Sequence, residues 1–442
     1  MRSTRRQLLG SAAAVAGAGF WVGARRGWAA AGVSPNERLG VGVIGVAHRG
    51  AANLSDLLGV PTAEVVALCD VDDRNLAAAG ERCPDAAHYN DFRQMLEKER
   101  RLDAVLIATA DHTHGPASVM ALDLGKHVYC EKPLTHNVFE ARRVTEAAAR
   151  NKRVTQLGTQ IHALDNYRRV VELVRSGAVG PVREVHVFVD KVWAAKGDGA
   201  RPAGEHPPVP KGLHYDLWLG PAEAWPYHPE WLPANWRRWW NFGNGTLGDM
   251  GCHYMDLPFW ALELKYPTRV SADGPPPSEH GCPPWLTVQY DFPARGDAPP
   301  VKLNWYDAGK KPAAYKDWNL PTGDWENGVV FVGDKGLLAA DYNRRVLLPE
   351  KAFAGFEPPA PSIPKSIGHH AEWVEACRKG DPSAAACNFD YSGPLSEAVL
   401  LGTVAYRTGK PLEWDAANLK VTNAPEADRY VRRAYRKGWE VV

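Results

Sequence analysis

Two segments of the sequence carry side chains that suit acid–base chemistry. The first is Glu-Lys-Pro at 131–133, which follows an apolar run over residues 126–130 that predicts a strand. A lysine at a strand end places a fixed cation beside a reacting oxygen, and the proline keeps Lys132 out of helical geometry. The second is a glycine-rich segment in which Asp249 and His253 lie four residues apart. On one helix they share a face, and a carboxylate beside an imidazole raises its basicity, as a general base requires.

The Asp-x-x-x-His segment has three other interpretations. They are a helix-capping aspartate beside a buried histidine, an ordinary Asp–His hydrogen bond, and a zinc site that includes Asp256. Zinc needs a further strong ligand, and Asp256 alone is a weak one, so no metal site is predicted. Side chains near these segments are predicted to contact the substrate, namely Gln160, Trp239, Tyr254 and Asp256.

Tryptophan is concentrated in the middle of the chain, with eight between Trp193 and Trp260 inclusive. Indole faces stack on the C–H faces of sugars, so an exposed cluster would suit a carbohydrate. Tryptophan is equally a core residue, and for any single one packing is the simpler interpretation. Residues 194–233 are rich in proline, glycine and aromatics without periodicity, which predicts a long surface loop.

The first half alternates apolar strands with helical segments. A strand over residues 39–45 leads into Gly45-Val46-Ala47-His48-Arg49-Gly50, a dinucleotide fingerprint with alanine in the middle position. A second strand ends at Asp70, whose carboxylate would accept hydrogen bonds from the adenosine ribose and repel a 2′-phosphate, which favours NAD over NADP. Arg74 is the nearby cation that opposes this preference. The structural alternative for Asp70 is a helix N-cap.

Together these segments resemble the Gfo/Idh/MocA oxidoreductases. In that family Glu-Lys-Pro lies where the nicotinamide and the substrate meet, and the histidine of Asp-x-x-x-His is the catalytic acid/base. The family usually carries Thr-Pro-Asn and a later histidine after the third strand; Thr109 and His114 match, whereas Ala110 and Asp111 differ. The resemblance implies that Lys132, Asp249 and His253 are catalytic. The residues that it assigns to the cofactor are Gly45, Ala47, His48, Arg49, Gly50, Asp70, Thr109, His114, Glu131, Lys132 and Pro133.

The predicted fold class is α/β with two domains after residue 31. Residues 32–158 are expected to form a Rossmann domain, a doubly wound parallel sheet. Residues 159–442 are expected to form an α+β domain for substrate binding and oligomerisation, with a large open, mostly antiparallel sheet. Its predicted strands are 182–193, 285–292, 301–306, 328–332 and 336–340, and its later helices 370–379 and 395–406. Such a sheet commonly forms the oligomer interface in this family, so a homo-dimer or homo-tetramer is expected.

The resemblance implies an NAD-dependent oxidoreductase that acts on a sugar or polyol. His253 would remove the hydroxyl proton, Lys132 would stabilise the alkoxide, and Asp249 would orient His253 or a substrate hydroxyl. One alternative is a glycosidase that oxidises its substrate transiently and then eliminates the leaving group. The NAD-dependent α-N-acetylgalactosaminidases depart from Glu-Lys-Pro, which favours a dehydrogenase. A second alternative is a non-catalytic sugar sensor, against which the joint presence of the three catalytic residues argues.

The N-terminus and the composition indicate the location of the protein and the partners that it is unlikely to have. Arg5 and Arg6 precede an apolar stretch, residues 8–22, and the small residues 29–31, which predicts a twin-arginine signal peptide over residues 1–31. This stretch is shorter than a spanning helix requires, so we expect export, for instance to the periplasm, and no stable membrane anchor. The 52 basic residues nearly balance 51 acidic ones, which argues against nucleic acid as a partner. Seven cysteines do not make a disulfide framework, although Cys377 and Cys387 remain a candidate pair.

Overall fold

The computed structural model describes residues 38–202, 204, 206–321 and 325–441. The predicted signal peptide, residues 1–31, lies outside the described residues. Among the helices that are described, none has the length and apolar character needed to cross a bilayer. Two β-sheets with flanking helices make up the described chain.

The first sheet has six strands in the order β3-β2-β1-β4-β5-β6, and every neighbouring pair is parallel. The strands are β1 Leu39–Ile44, β2 Ala63–Cys69, β3 Ala87–Tyr89, β4 Ala104–Ile107, β5 His127–Cys130 and β6 Thr155–Leu157. The helices between them are α1 Arg49–Leu58, α2 Asp73–Gly80, α3 Phe92–Lys98, α4 Asp111–Asp123 and α5 Val138–Asn151. Strands β1 and β4 are buried throughout, as expected for a parallel sheet with helices on both faces. The predicted doubly wound sheet is confirmed.

Side-chain caps set the starts of three of these helices. Asp72, Asp91 and Asn137 each accept a hydrogen bond from a backbone N–H in the first turn of the helix that follows. Such a bond satisfies one of the donors that a helix start leaves unpaired.

The second sheet has nine strands in the order β13-β12-β11-β7-β10-β9-β8-β14-β15. Its strands are β7 Val182–Phe188, β8 Arg269–Asp273, β9 Thr287–Phe292, β10 Val301–Tyr306, β11 Gly328–Gly333, β12 Gly336–Ala340, β13 Arg345–Leu348, β14 Leu412–Asp415 and β15 Lys420–Val421. Only β7 and β10 pair in parallel, so the predicted mostly antiparallel sheet is confirmed. Strand β7 ends before the predicted residue 193 because the chain leaves the sheet at the exposed Asp190 and Lys191.

Seven helices accompany the second sheet in the described residues. They are α6 Asp165–Arg175, α7 Tyr215–Leu219, α8 Gly245–Tyr254, α9 Asp256–Leu262, α10 His369–Lys379, α11 Phe389–Thr408 and α12 Asp428–Val431. The predicted helices 370–379 and 395–406 correspond to α10 and α11. Helix α11 begins earlier than predicted because the Asn388 side chain caps it by accepting the backbone N–H of Tyr391.

Residues 194–233, predicted as a surface loop, form a small hydrophobic core together with the residues that follow them. The segment contains the short helix α7, and a turn of 3₁₀ helix, Asn235–Arg238, comes directly after it. Five tryptophans bury their rings in one cluster, namely Trp218, Trp225, Trp231, Trp236 and Trp239. Ala110, from the loop after β4, belongs to the same cluster, so this segment packs on the Rossmann domain. For these five rings the packing interpretation holds.

All seven cysteines are buried and free. Cys377 and Cys387, the candidate pair, therefore form no disulfide in the structure.

Candidate active site

The glycine-rich loop joins β1 to α1 at the carboxyl end of the first sheet. Gly45 has a φ of 83°, and a Cβ added there would lie 2.6 Å from the Ala108 carbonyl oxygen. A Cβ added at Gly50 would lie 2.0 Å from the Gly45 carbonyl oxygen, so glycine is required at both ends of the loop. Ala47 and His48, which lie between these two glycines in the loop, line a cavity. The loop thus leaves the N-terminus of α1 open to an anionic group.

Asp70 lies at the carboxyl end of β2 and is 8% exposed. Its carboxylate accepts hydrogen bonds from the backbone N–H of Val46 at 3.0 Å and of Asp72 at 2.9 Å. Burial raises the pKa of Asp70, and these backbone bonds oppose the rise. Asp70 therefore holds the glycine-rich loop in place as well as lining the cavity. Arg74, the cation that would favour a 2′-phosphate, instead binds both carboxylate oxygens of Asp72.

The cavity beside this loop has a volume of about 490 Å³, within the usual range for small-molecule sites. A dinucleotide fits its chemistry, because the glycine-rich loop and Arg49, the first residue of α1, line the cavity and Asp70 offers a carboxylate at the ribose position. Thr109, after β4, lines the same space. The residues of the predicted set that would hold NAD here are Gly45, Ala47, His48, Arg49, Asp70 and Thr109.

His114, predicted to contact the cofactor, instead lies beneath this surface and is 1% exposed. Its Nδ1 is 2.8 Å from the Pro133 carbonyl oxygen and its Nε2 is 3.2 Å from the Thr109 carbonyl oxygen. Burial lowers the pKa of His114, which keeps the ring neutral. His114 thus ties the loop after β4 to the Glu-Lys-Pro corner.

Glu131 anchors that corner from the opposite side. Its Oε1 accepts hydrogen bonds from Gln160 Nε2 at 2.7 Å, Asn53 Nδ2 at 2.9 Å and Arg49 Nε at 3.3 Å. Gln160 also binds the Tyr129 hydroxyl at 2.7 Å. Gln160 and Glu131 therefore support the position of Lys132 from within the protein.

Lys132 and Asp249 meet where the two sheets' domains face each other. Lys132 Nζ donates to Asp249 Oδ1 at 2.7 Å and to the Asp249 carbonyl oxygen at 2.9 Å. Asp249 Oδ1 also accepts from Arg237 Nε at 3.0 Å, and Oδ2 accepts from Trp193 Nε1 at 2.7 Å. Burial alone would raise the pKa of Asp249, but Lys132 and Arg237 outweigh it and hold that pKa well below its usual range. Asp249 is thus a carboxylate that fixes two cations.

His253 lies one turn after Asp249 on helix α8. Burial, with Lys132 as the next cause, lowers the pKa of His253 to about 3. The imidazole is therefore neutral at physiological pH, which is the form that accepts a proton. Its Nδ1 is buried and has no hydrogen-bond partner within the described chain, and the hydrogen bonds of Asp249 come from other donors. Asp249 therefore orients Lys132, and its predicted role of orienting His253 is not seen.

Two parts of the chain match the two domains of one known protein family. Residues 39–159 match the Gfo/Idh/MocA oxidoreductase family, described as an NAD-binding Rossmann fold, and residues 166–318 match that family's C-terminal alpha/beta domain. The chain belongs to the Gfo/Idh/MocA family.

Two curated relatives are inositol 2-dehydrogenases. The protein from Salmonella typhimurium is 32% identical over 151 residues, and that from Rubrobacter xylanophilus is 35% identical over 147 residues. These matches cover 34% and 33% of this chain but only 45% and 42% of the relatives, so the chain spans less than half of each relative's length. The crystal structure of the WlbA dehydrogenase from Bordetella pertussis, in complex with NADH and UDP-GlcNAcA, shares the fold. It has a TM-score of 0.59 at 17% identity and covers 86% of this chain and 99% of its own.

Two predicted substrate residues of this family member lie in its interior instead. Trp239 is 3% exposed and packs in the aromatic cluster, with its ring 5.0 Å from that of Trp231. Tyr254 is 4% exposed and stacks on Tyr342 with 4.6 Å between ring centroids. Neither side chain lines the cavity. Their closeness in sequence to Asp249 and His253 did not bring them to the same surface.

Asp256 is also fully buried and serves an internal network. Its carboxylate accepts from His162 Nδ1 at 3.0 Å and from the Tyr391 hydroxyl at 2.7 Å. His162, Asp256 and Cys387 offer ligand atoms within 4.8 Å of one another, the arrangement that most nearly suits a metal in the described chain. The carboxylate is occupied by neighbouring donors, and His253 takes no part in this group.

Three residues that the sequence did not assign belong to the site. Arg237 and Trp193 hold Asp249, and both come from the part of the chain that follows β7. Asp111 begins helix α4 close to the same charges. Burial raises the pKa of Asp111 to about 8, although Arg237 and Lys132 oppose the shift. The only signal for Asp111 was its departure from the family's usual asparagine.

Proposed function

We propose that this family member is an NAD-dependent oxidoreductase that transfers a hydride between a hydroxyl-bearing carbon of a sugar or polyol and the nicotinamide. The observation that carries the proposal is the ion pair of Lys132 with Asp249, one helical turn from His253, which Arg237 connects to the dinucleotide cavity. The similarity to inositol 2-dehydrogenases supports a polyol substrate. The NADH and the sugar nucleotide bound in the WlbA crystal structure agree with a nicotinamide cofactor and a sugar-type substrate.

The division of labour follows from the geometry. The nicotinamide, when bound, supplies the hydride chemistry. His253 is in the neutral form, which can accept the proton of the substrate hydroxyl. Lys132 presents a positive charge to the oxygen that loses this proton, in a buried setting where such a charge acts strongly. Asp249 and Trp193 fix the position of that charge, and Glu131 and Pro133 fix the corner that carries it.

NAD is the proposed cofactor in preference to NADP. Asp70 places a carboxylate at the ribose end of the cavity, where a 2′-phosphate would be repelled. The cation that would favour the phosphate, Arg74, is already paired with Asp72 at 2.6 Å. Measured dissociation constants for NADH and NADPH test this preference directly.

We further propose that the protein is exported to the periplasm by the twin-arginine route with its cofactor already bound. Little NAD is available outside the cytoplasm, so an enzyme that released its cofactor there would soon be empty. A folded-protein export route permits loading first, and the cofactor is then recycled within the site by a second substrate or by return of the hydride. We expect a homo-oligomer, a dimer or a tetramer, and no stable membrane anchor.

The decisive experiment supplies a panel of sugars and polyols, including myo-inositol, to the purified protein. Growth or loss of the near-ultraviolet absorbance of reduced nicotinamide with one compound is the expected result, and His253→Ala is the matched control. Release of an aglycone from a glycoside without net reduction would identify a glycosidase. Sugar binding without any turnover would identify a sensor. Either of these outcomes refutes the proposed dehydrogenase.

A further inference from the structure

One segment of the second domain lies over the dinucleotide cavity. We call this segment, residues 210–242, the cover. The glycine-rich loop and Asp70 line one side of the cavity, and cover residues such as Leu213, Tyr227 and Arg237 line another. The dinucleotide site is therefore built from two parts of the chain that are far apart in sequence.

The cover is joined to the Rossmann domain at the ribose end of the cavity by backbone hydrogen bonds. Asp73 N–H donates to the Gly212 carbonyl oxygen at 2.9 Å, and His214 N–H donates to the Val71 carbonyl oxygen at 2.8 Å. They flank an antiparallel bridge between Asp72 and Leu213. The loop that carries Asp70 and the cover therefore behave as one short strip of sheet.

A second attachment lies at the start of helix α4. The buried ring of His112 has Nε2 2.7 Å from the Trp218 carbonyl oxygen and Nδ1 3.3 Å from the Phe242 carbonyl oxygen. Its ring also packs against Trp218, with 5.2 Å between centroids. At the outer edge Trp439, near the C-terminus, lines the cavity and stacks under Arg93 at 4.0 Å. The cover is therefore attached to the Rossmann domain at residues 71–73 and again at His112.

Arg237 presents its guanidinium to this cavity in a fixed orientation. Its Nε binds Asp249 at 3.0 Å, and its guanidinium carbon lies 4.2 Å from the ring centroid of Trp236 and 5.3 Å from that of Trp193. Its terminal amino groups make no hydrogen bond within the described residues, and the side chain is 22% exposed. A planar guanidinium held in this way binds an oxyanion through two parallel hydrogen bonds.

We propose that the cover retains the dinucleotide in its site. Arg237 binds the diphosphate from the side opposite the glycine-rich loop, and the strip at Gly212 closes the ribose end. The inference rests on the proposed function, since it takes the cavity to hold a dinucleotide. It goes further by stating which contacts keep the cofactor from leaving: release requires the cover to detach from residues 71–73 and Arg237 to give up the diphosphate.

The first test measures release of the reduced cofactor. Protein loaded with NADH is mixed with a large excess of NAD, and the loss of bound-NADH fluorescence gives the dissociation rate. Arg237→Met, which keeps the apolar stem, is expected to release NADH at least tenfold faster than the unaltered protein. Lys211→Met removes an exposed positive charge from the same segment and is the matched control, with an unchanged rate. Equal rates for Arg237→Met and the unaltered protein would overturn the role of Arg237.

The second test locks the cover. A Cβ added at Gly212 lies 3.4 Å from the Asp73 Cβ, close to the roughly 3.5–4.5 Å that a disulfide spans, and all native cysteines are buried. In the double variant Asp73→Cys with Gly212→Cys, the oxidised form should release NADH at least tenfold more slowly than the reduced form. Comparing two redox forms of one variant cancels any strain from the φ of 80° at Gly212. Asp73→Cys alone should show no redox dependence.

The outcomes separate the two proposals. If the oxidised and reduced double variant release NADH at the same rate, the cover does not control release and the inference is wrong. If the unaltered protein binds neither NADH nor NADPH, the proposed function itself fails. Fluorescence of the bound nucleotide reports both results without any assay of turnover.

Discussion

Replacement of the buried carboxyl group of Asp111 by an amide should change how stability depends on pH. Burial raises the pKa of Asp111 from 3.8 to about 8, against the opposing charges of Arg237 and Lys132. The unfolded chain ionises this group near pH 4, whereas the folded chain keeps it protonated until about pH 8. Folding therefore takes up a proton between these values, and the free energy of unfolding falls as the pH rises through that window.

The size of the effect follows from the shift. One proton contributes about 1.4 kcal/mol per pH unit, so from roughly pH 5.5 to pH 7.5 the unaltered protein should lose about 3 kcal/mol that Asp111→Asn does not lose. Urea unfolding followed by tryptophan fluorescence, at several pH values and with cofactor bound, measures the difference. Asp123→Asn removes an exposed carboxylate at the other end of the same helix and is the matched control. A difference between Asp111→Asn and the unaltered protein that stays constant with pH would mean that Asp111 is already ionised at neutral pH, and the reasoning would be refuted.

Three further predictions concern chemistry, cofactor and export. His253→Ala should lower turnover by roughly 10²–10⁴-fold while bound NAD per chain stays unchanged; near-normal turnover on the true substrate would remove His253 from the mechanism. Asp70→Ser should weaken the preference for NADH over NADPH, measured as the ratio of their dissociation constants. Tighter binding of NADPH than of NADH by the unaltered protein would contradict the role of Asp70. Arg5→Lys with Arg6→Lys should leave cofactor-loaded precursor in the cytoplasm, which fractionation and nucleotide analysis detect; efficient export of the double variant would refute the folded-export proposal.

Local patterns predicted those parts of the molecule that local forces determine. The dinucleotide fingerprint indicated both positions where only glycine fits, and the apolar run over residues 126–130 indicated strand β5. The strand before Lys132 could be recognised because a buried parallel strand is apolar on both faces. In each case the signal lies within about ten residues of the feature that it predicts.

The cover could not be predicted in the same way. Its residues show no helical or strand period. A compact aromatic cluster with short turns has no repeating geometry, so its sequence has no regular spacing of apolar residues. The tryptophans that suggested a sugar-stacking surface instead fill that cluster, as Trp239 does. Arg237 becomes recognisable only when the cover has folded across the cavity and its Nε meets Asp249. A lone Arg-Arg pair in a loop carries no such information.

Asp249 shows most clearly why the spacing of two residues along a helix does not determine which side chain a carboxylate binds. Four residues of separation on one helix bring a carboxylate near His253, so the sequence favoured an Asp–His pair. In the fold, Lys132, Arg237 and Trp193 reach the same two oxygens from three other segments. Lys132 and Arg237 are charged donors, and their bonds to a buried carboxylate are stronger than a bond from a neutral imidazole would be, so they are the partners that Asp249 takes. Lys132, the proposed catalytic lysine, is consequently positioned by a carboxylate of the second domain, and its placement depends on how the two domains meet.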